Sequence, residues 1–335
     1  MRIAINGFGR IGRVFFRQAF LREGFDIVAV NDLGDLENLS YLLRYDSVYG
    51  RYEKNVQVNQ GSLSIEGKEV KFFQEREPQN LPWRDLGIDV VVESTGIFTS
   101  SEKASAHINA GAKRVVITAP TKDETPTSTP NLAIGVLAQG QVSSNASCTT
   151  NATTPVVAIL SKELGIQKAM LSTVHGYTAT QNLIDGPATK DFLRGRAAAH
   201  NIVPSSTGAA ESVYRVIPEL KGLFDGIAMR VPVISGSIID VTILAKRKTS
   251  IEEVNDMFRK AAASPEWQGI LAVSEDPLVS SDILRQPYGS IVDLSLTRVV
   301  DGDLVKVCAW YDNEWGYCAM LIKHIESLKR FLLKI

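Results

Sequence analysis

Apolar and polar positions change their period several times along the chain. RIAIN at 2–6 and DIVAVND at 26–32 are short β-rich runs, and between them Ile11, Val14, Phe15 and Ala19 keep helical spacing. This pattern predicts a βαβ unit. DVVVEST at 89–95 and RVVITA at 114–119 are almost continuously apolar, as strands covered on both faces of a parallel sheet should be. The segment between them, beginning TSSEKASAH, predicts another crossover helix. Beyond about residue 150 the texture shifts to longer alternating strands such as GSIIDVTILAKR, and to RVVDGDLVKVCAWY, where Asp301-Gly302 supplies a hairpin turn. An antiparallel or mixed sheet with helices is expected there. From Trp315 to Ile335, Cys318, Ile322, Ile325, Leu328 and Leu332 fall on one helical stripe, which predicts a helix packing back on the first domain. No internal repeat appears, and TKDETPTSTPN reads as a polar, proline-bearing loop.

A length of 335 residues allows two domains with a core that needs no staples. The three cysteines, Cys148, Cys308 and Cys318, have neither framework nor zinc-ligand spacing, so no metal is expected and a reducing, cytoplasmic compartment fits best. The apolar run in MRIAINGFGR is far too short for a secretory or membrane segment, and a soluble chain is expected. With 36 basic and 37 acidic side chains the net charge is -1, which gives no general attraction to nucleic acid or anionic lipid. Any anion must therefore be met by local groups.

GFGRIG places Gly7, Gly9 and Gly12 in the G-x-G-x-x-G pattern, after a strand and at the start of a helix. Bare amides and a helix N-terminus there can face a pyrophosphate. Asp32 ends the second strand about 20 residues later, where a carboxylate accepts bonds from ribose hydroxyls and repels a 2'-phosphate. NAD is thus expected over NADP. The plain alternative, a tight turn followed by a loop-capping aspartate, leaves the agreement of strand, glycines, helix and acid unexplained.

SNASCTTN surrounds Cys148 with hydroxyl and amide groups, and the run from Thr149 to about Leu164 predicts a helix with Ser147 or Cys148 near its cap. A helix N-terminus or an adjacent imidazole lowers a thiol pKa. Pro155 removes one helical hydrogen bond and should distort the first turns. His175, in LSTVHGYTATQ, has the most site-like setting of the four histidines. Taken singly, the cysteine would be a small buried hydrophobe and the histidine a satisfied core or surface group. The second half, however, also carries Thr178, Thr180, Arg194, Arg196 and Arg230, and SSTGAA opens a helix at Thr207 and Gly208. These are the parts of one or two phosphate sites.

In order along nearly the whole chain, INGFGRIGR, YDSVYGRY, ESTGIF, SNASCTTN, HGYTATQ, DGPATKD, IVPSSTGAA, MRVP and WYDNEWGY resemble the phosphorylating, NAD-dependent glyceraldehyde-3-phosphate dehydrogenase family. The resemblance implies an α/β chain with a Rossmann domain at 1–148 and 313–335, and an α+β catalytic domain with a mostly antiparallel or mixed sheet at 149–312. It implies a homotetramer. It further implies Cys148 as nucleophile and His175 as base and polariser, with Thr178, Thr180, Arg194 and Arg230 taking the substrate phosphate. Ser147, Thr149, Thr207 and Gly208 would take inorganic phosphate. Gly7, Gly9, Arg10, Ile11, Gly12, Asp32, Arg76, Thr95, Gly96, Thr118 and Asn313 would line the NAD site, Asn313 fixing the carboxamide, and Pro187 matches the NAD-using pattern. The implied reaction converts glyceraldehyde 3-phosphate to 1,3-bisphosphoglycerate through a hemithioacetal and a thioester on Cys148.

Two positions depart from the family pattern. Ala152 replaces a frequent second cysteine and closes an intrachain oxidation route, and Leu137 makes GVL of the usual GVN. Cys308, Cys318, Trp310 and Trp315 read as core. Three other readings remain open at this level. Erythrose-4-phosphate dehydrogenase would release a free acid, and Thr178 with SSTGAA argues for the phosphate-using enzyme instead. An NAD-binding regulatory or RNA-binding protein would not need the whole reactive set. A thiol redox sensor would follow from a low-pKa Cys148.

Overall fold

The computed structural model describes residues 1–188 and 191–332, and its chain divides into two compact units. The first comprises Met1–Ser128, Ala133–Ala146 and the C-terminal residues from Leu321; the second comprises Thr129–Leu132 and Ser147–Met320.

The first unit holds strands β1 (Arg2–Asn6), β2 (Asp26–Asn31), β3 (Val56–Asn59), β4 (Ser62–Ile65), β5 (Lys68–Phe73), β6 (Val90–Glu93), β7 (Arg114–Ile117) and β8 (Val142–Ser144), with helices α1 (Arg10–Ala19), α2 (Leu36–Arg44) and α3 (Ser101–Asn109). They form one sheet in the order β3-β4-β5-β2-β1-β6-β7-β8. From β5 to β8 every pairing is parallel, while β3 and β4 add an antiparallel edge. The valines of β6 and β7 are fully buried, as their unbroken apolar runs require. Strand order reverses beside β1, which is flanked by β2 and β6, so a crevice opens at the carboxyl ends of these strands. This is the Rossmann arrangement.

The second unit holds β9 (Ile166–Gly176), β10 (Val203–Ser206), β11 (Phe224–Val231), β12 (Ser237–Ala245), β13 (Leu271–Ser274), β14 (Ser290–Val300) and β15 (Leu304–Tyr311), with α4 (Cys148–Leu164), α5 (Ala209–Val216) and α6 (Ile251–Ala263). Its sheet runs β10-β11-β9-β12-β15-β14-β13, with parallel pairs β11/β9 and β13/β14 and antiparallel pairs elsewhere. Burial alternates strictly along β12, because helices α4 and α6 pack against this sheet. The β14–β15 hairpin turns on Asp301 and Gly302, both at positive φ (47° and 76°).

Pro155 does not break α4, which runs without interruption to Leu164. A prolyl nitrogen cannot donate to the Asn151 carbonyl; that oxygen instead borders Gly289, where an added Cβ would lie 3.2 Å from it. Ala152 is fully buried in the same helix. Leu137 is buried too, and its carbonyl accepts a 2.8 Å bond from Arg114.

Helix α7 (Trp315–Leu332) buries Cys318, Ile322, Ile325 and Leu328. Within the first unit its His324 bonds Ser143 at 3.0 Å and Asn145 at 3.1 Å, and Arg114 donates to the Phe331 carbonyl. Cys308 is buried, but Trp310 and Trp315 are only half-buried, which corrects the expectation of core tryptophans. Trp310 alternates to the opposite side of β15 from Tyr311, and its indole N–H needs a polar partner, Asp293 at 3.0 Å. No helix among the described residues is long and apolar enough to cross a membrane.

Candidate active site

In the second unit, Ser147 caps α4. Its Oγ accepts a 3.0 Å bond from the Thr150 amide, which leaves Cys148 as the first helical residue, at the positive end of the helix dipole. Strand β9 delivers His175 from its carboxyl end, and the parallel register of β11 places Arg230 directly beside it. Cys148 Sγ lies 3.4 Å from His175 Nε2. Arg230 Nη1 donates to His175 Nδ1 at 2.5 Å and to the Gly176 carbonyl at 3.2 Å.

The Gly176 carbonyl, which only accepts, lies 2.6 Å from the same Nδ1. Nδ1 thus stands between a donor, Arg230, and an acceptor: a proton held on Nδ1 for Gly176 leaves Nε2 a base toward the sulfur, and a proton on Nε2 makes it a donor there. Tyr311 packs edge-on against the imidazole, with centroids 5.9 Å apart. Its hydroxyl meets Thr149 Oγ1 at 3.0 Å and Thr173 Oγ1 at 2.9 Å, while Thr173 donates to the Ile238 carbonyl. The Tyr311 and Thr173 contributions are not apparent in a local sequence reading. The available signal is that Val305, Val307, Ala309 and Tyr311 alternate inward along β15, so the last of them brings a hydroxyl into the buried face.

Electrostatics overturn one expectation. Burial pushes the Cys148 thiol above its ordinary range, outweighing the opposing effects of Arg230 and Thr149. Burial, then Arg230, pushes His175 down to about 3. The resting pair is therefore a neutral thiol beside a neutral imidazole, not a preformed ion pair. Arg194 also depresses His175, so two cations act on this centre. Arg194 bonds Ser205 Oγ at 2.7 and 3.1 Å and pairs with Asp191. Thr178 and Thr180 join their hydroxyls at 2.9 Å. Thr207 and Gly208 lead into α5 and line a separate hollow with Lys168, Tyr214 and Asp225. Arg196 instead pairs with Asp185 on the surface, and Pro187 is exposed nearby; Thr189 and Lys190 of the DGPATKD block lie outside the described residues.

In the first unit, β1 is followed by Gly7, whose φ of 95° suits glycine and where an added Cβ would lie 2.6 Å from the Thr95 nitrogen. A Cβ on Gly12 would come within 2.1 Å of the Gly7 carbonyl oxygen, so helix and turn pack backbone to backbone. Gly9 occupies the N-cap of α1 with no side-chain cap and with open space where a Cβ would stand. Gly7 and Gly9 line a cavity of about 500 Å³ together with Asp32, Arg76 and Thr95. Asp32 accepts from the amides of Phe8 (2.6 Å) and Gly34 (2.8 Å), which fixes its carboxylate at the rim. Gly96, at φ 74°, follows Thr95 with open space on its Cβ side. An uncapped helix end, bare glycines and a fixed carboxylate fit a dinucleotide.

Other expected cofactor residues do different local work. Arg10 pairs with Asp46 and lies over the Tyr49 ring, Ile11 sits in the first turn of α1, and Thr118 bonds the Glu93 carbonyl. Asn313 belongs to the second unit, where its Oδ1 accepts from the Gly236 amide and the Ser237 hydroxyl, both at 3.0 Å. Asn6, Asn31 and Phe98 also line the cavity, although no motif singled them out.

One unit thus presents a dinucleotide cradle and the other a half-buried cysteine against a buried histidine, with two arginines. Residues 1–101 match the glyceraldehyde 3-phosphate dehydrogenase NAD binding domain, and residues 147–313 match the C-terminal domain of the same family. The sequence is 48% identical to the glyceraldehyde-3-phosphate dehydrogenase of Borreliella burgdorferi over 98% of this chain and 99% of that protein. It is 48% identical to the Streptomyces coelicolor enzyme over 96% of both chains, and 44% identical to glyceraldehyde-3-phosphate dehydrogenase B of Aspergillus oryzae over 94% of both. The chain belongs to the glyceraldehyde 3-phosphate dehydrogenase family, and its first domain is the family's NAD binding domain.

Proposed function

We propose that this protein oxidises and phosphorylates D-glyceraldehyde 3-phosphate to 1,3-bisphosphoglycerate. The single observation that carries the chemistry is Cys148 Sγ at 3.4 Å from His175 Nε2, with Arg230 held against the same imidazole. The thiol proton passes to His175 Nε2 as Cys148 Sγ adds to the aldehyde carbon, and Arg230 and Thr149 stabilise the thiolate charge that develops. Having taken that proton, His175 Nε2–H donates to the hemithioacetal oxygen, so the ring serves as base and then as polariser. NAD, when bound, supplies the hydride acceptor. Loss of hydride leaves a thioester on Cys148, which inorganic phosphate displaces as an acyl phosphate.

Arg194, Arg230, Thr178 and Thr180 are assigned to the substrate phosphate, and Ser147, Thr149, Thr207 and Gly208 to inorganic phosphate. Two cations acting on His175 support an anionic substrate. Gly7, Gly9 and Gly12 shape the pyrophosphate turn; Asp32 takes the ribose and disfavours NADP. Arg76, Thr95 and Gly96 line the cofactor cavity, Arg10, Ile11 and Thr118 support it, and Asn313 donates to the carboxamide. The first and last segments, 1–148 and 313–335, serve the cofactor, and 149–312 serve the substrate.

A cytoplasmic homotetramer is the working assembly. Met170 and Val174 of β9, Ile227 of β11, and Leu183, Ile184 and Phe192 of the following loop are exposed apolar side chains that a second copy would cover. Reduced cofactor should form from glyceraldehyde 3-phosphate only while phosphate is present in sustained turnover, and C148S should abolish it. Equal turnover without phosphate, or preference for erythrose 4-phosphate, would assign the chain to the acid-releasing reaction instead.

A further inference from the structure

Beneath the cofactor cavity lies a titratable pair that the proposed chemistry does not use. Glu93, the last residue of β6, is 2% exposed, and His107 of α3 is wholly buried. The Trp83 indole donates to His107 Nδ1 at 2.9 Å. An indole N–H only donates, so Nδ1 accepts and Nε2 carries the proton, directed at Glu93 Oε2 at 3.0 Å. Asn6 Nδ2 reaches the same oxygen at 2.5 Å and lies 3.3 Å from His107 Nε2. Glu93 Oε1 accepts from the Thr95 amide at 2.9 Å and from its hydroxyl at 2.5 Å. The Glu93 side chain is thus an acceptor ringed by four donors.

Burying such a group is expensive, and what it holds explains its place. Asn6 precedes Gly7, and Thr95 precedes Gly96. Asn6 Oδ1 accepts from Asn31 Nδ2 at 2.7 Å, and Asn31 precedes Asp32. Asn31 in turn exchanges two bonds with the Glu75 backbone, at 2.8 and 2.9 Å, and Glu75 precedes Arg76. The residue ahead of each cavity-facing position at the ends of β1 and β2 and beyond β5, and Thr95 itself beyond β6, is therefore tied to one chain. We propose that Glu93, oriented by His107 and Trp83, is the positioning residue of the dinucleotide site, setting the spacing of these four segments. This rests on the NAD reading above and adds a residue outside the cavity to it.

An amide at position 93 must turn its NH2 toward two of the four donors, whichever way it is flipped. Calorimetric NAD titration and steady-state kinetics on the full-length wild type, E93Q, H107L and H107Q test the proposal. E93Q should raise the Kd and KM for NAD about tenfold, the weight of one charge-assisted hydrogen bond, with kcat at saturating NAD changed little. H107L should weaken NAD several-fold, whereas H107Q, which keeps an N–H toward the carboxylate, should recover most of the affinity. A purely structural role would lower the melting temperature and leave the Kd of the folded protein unchanged. Folded E93Q with wild-type NAD affinity would overturn the proposal; were E93Q not to fold, equal affinities for H107L and H107Q would overturn it. A wild type that binds no NAD would defeat the cofactor reading itself, and this proposal with it.

Discussion

At the residue scale, the centre depends on which nitrogen of His175 carries the proton. Replacing His175 by Asn leaves no donor at the Nε2 position, and kcat should fall by about 10²–10³, the usual effect of removing an oxyanion donor. Because burial raises the Cys148 thiol and holds His175 down to about 3, the alkylation rate of Cys148 should climb through the alkaline range without a plateau near neutrality. R230M removes the cation that favours the thiolate, so its profile should shift to higher pH. A wild-type plateau between pH 5 and 7 would instead reveal the ion pair that burial opposes. Cys148 and His175 were legible because each is rare and lies among hydroxyl groups. The contact of Arg230 with His175 was not, since it depends on parallel pairing between strands some fifty residues apart. Nor was the sign of the thiol shift, because desolvation is a property of the packed site rather than of its neighbours in sequence.

At the element scale, the glycine turn and the two helix starts do most of the positioning. Gly12→Ala would drive a methyl into the Gly7 carbonyl, so the turn must move; NAD affinity should drop at least tenfold by titration, with Cys148 alkylation unchanged. Ser147→Ala removes the cap of α4 and should lower unfolding stability by about 1 kcal/mol in denaturant titration. Both helix starts were readable from local chemistry: Gly9 opens α1, and Ser147, the earlier of the two cap candidates, opens α4. The hairpin at Asp301-Gly302 was equally local. What periodicity misjudged was Trp310, since bulk suggested core while strand alternation turned it to the opposite side of β15. The chain from Trp83 to Glu75 was invisible for a related reason: its members come from separate strands, a helix and loops, and no spacing links them.

At the scale of the whole molecule, two buried histidines tie stability to pH. An unfolded chain takes up protons on them near pH 6.5, whereas the folded chain resists until about 4 at His324 and about 3 at His175. Their contribution is complete above 6.5 and is lost as the pH falls through that window. For His324 alone this is on the order of 3 kcal/mol. The urea midpoint should therefore fall between pH 7.5 and 5, and H324N should flatten that dependence; an unchanged slope would show that His324 does not link stability to pH. The two sheet types were legible from the change of strand texture near residue 150, because unbroken apolar runs and alternating runs bury different numbers of faces.

The most direct test of the central claim is a single-turnover experiment with NAD and glyceraldehyde 3-phosphate in the absence of phosphate. A burst of one reduced cofactor per active Cys148 is expected, with a peptide mass gain at Cys148 matching the acyl group, followed by release as acyl phosphate when phosphate is added. Steady turnover without phosphate, or a burst with no adduct on Cys148, would contradict it.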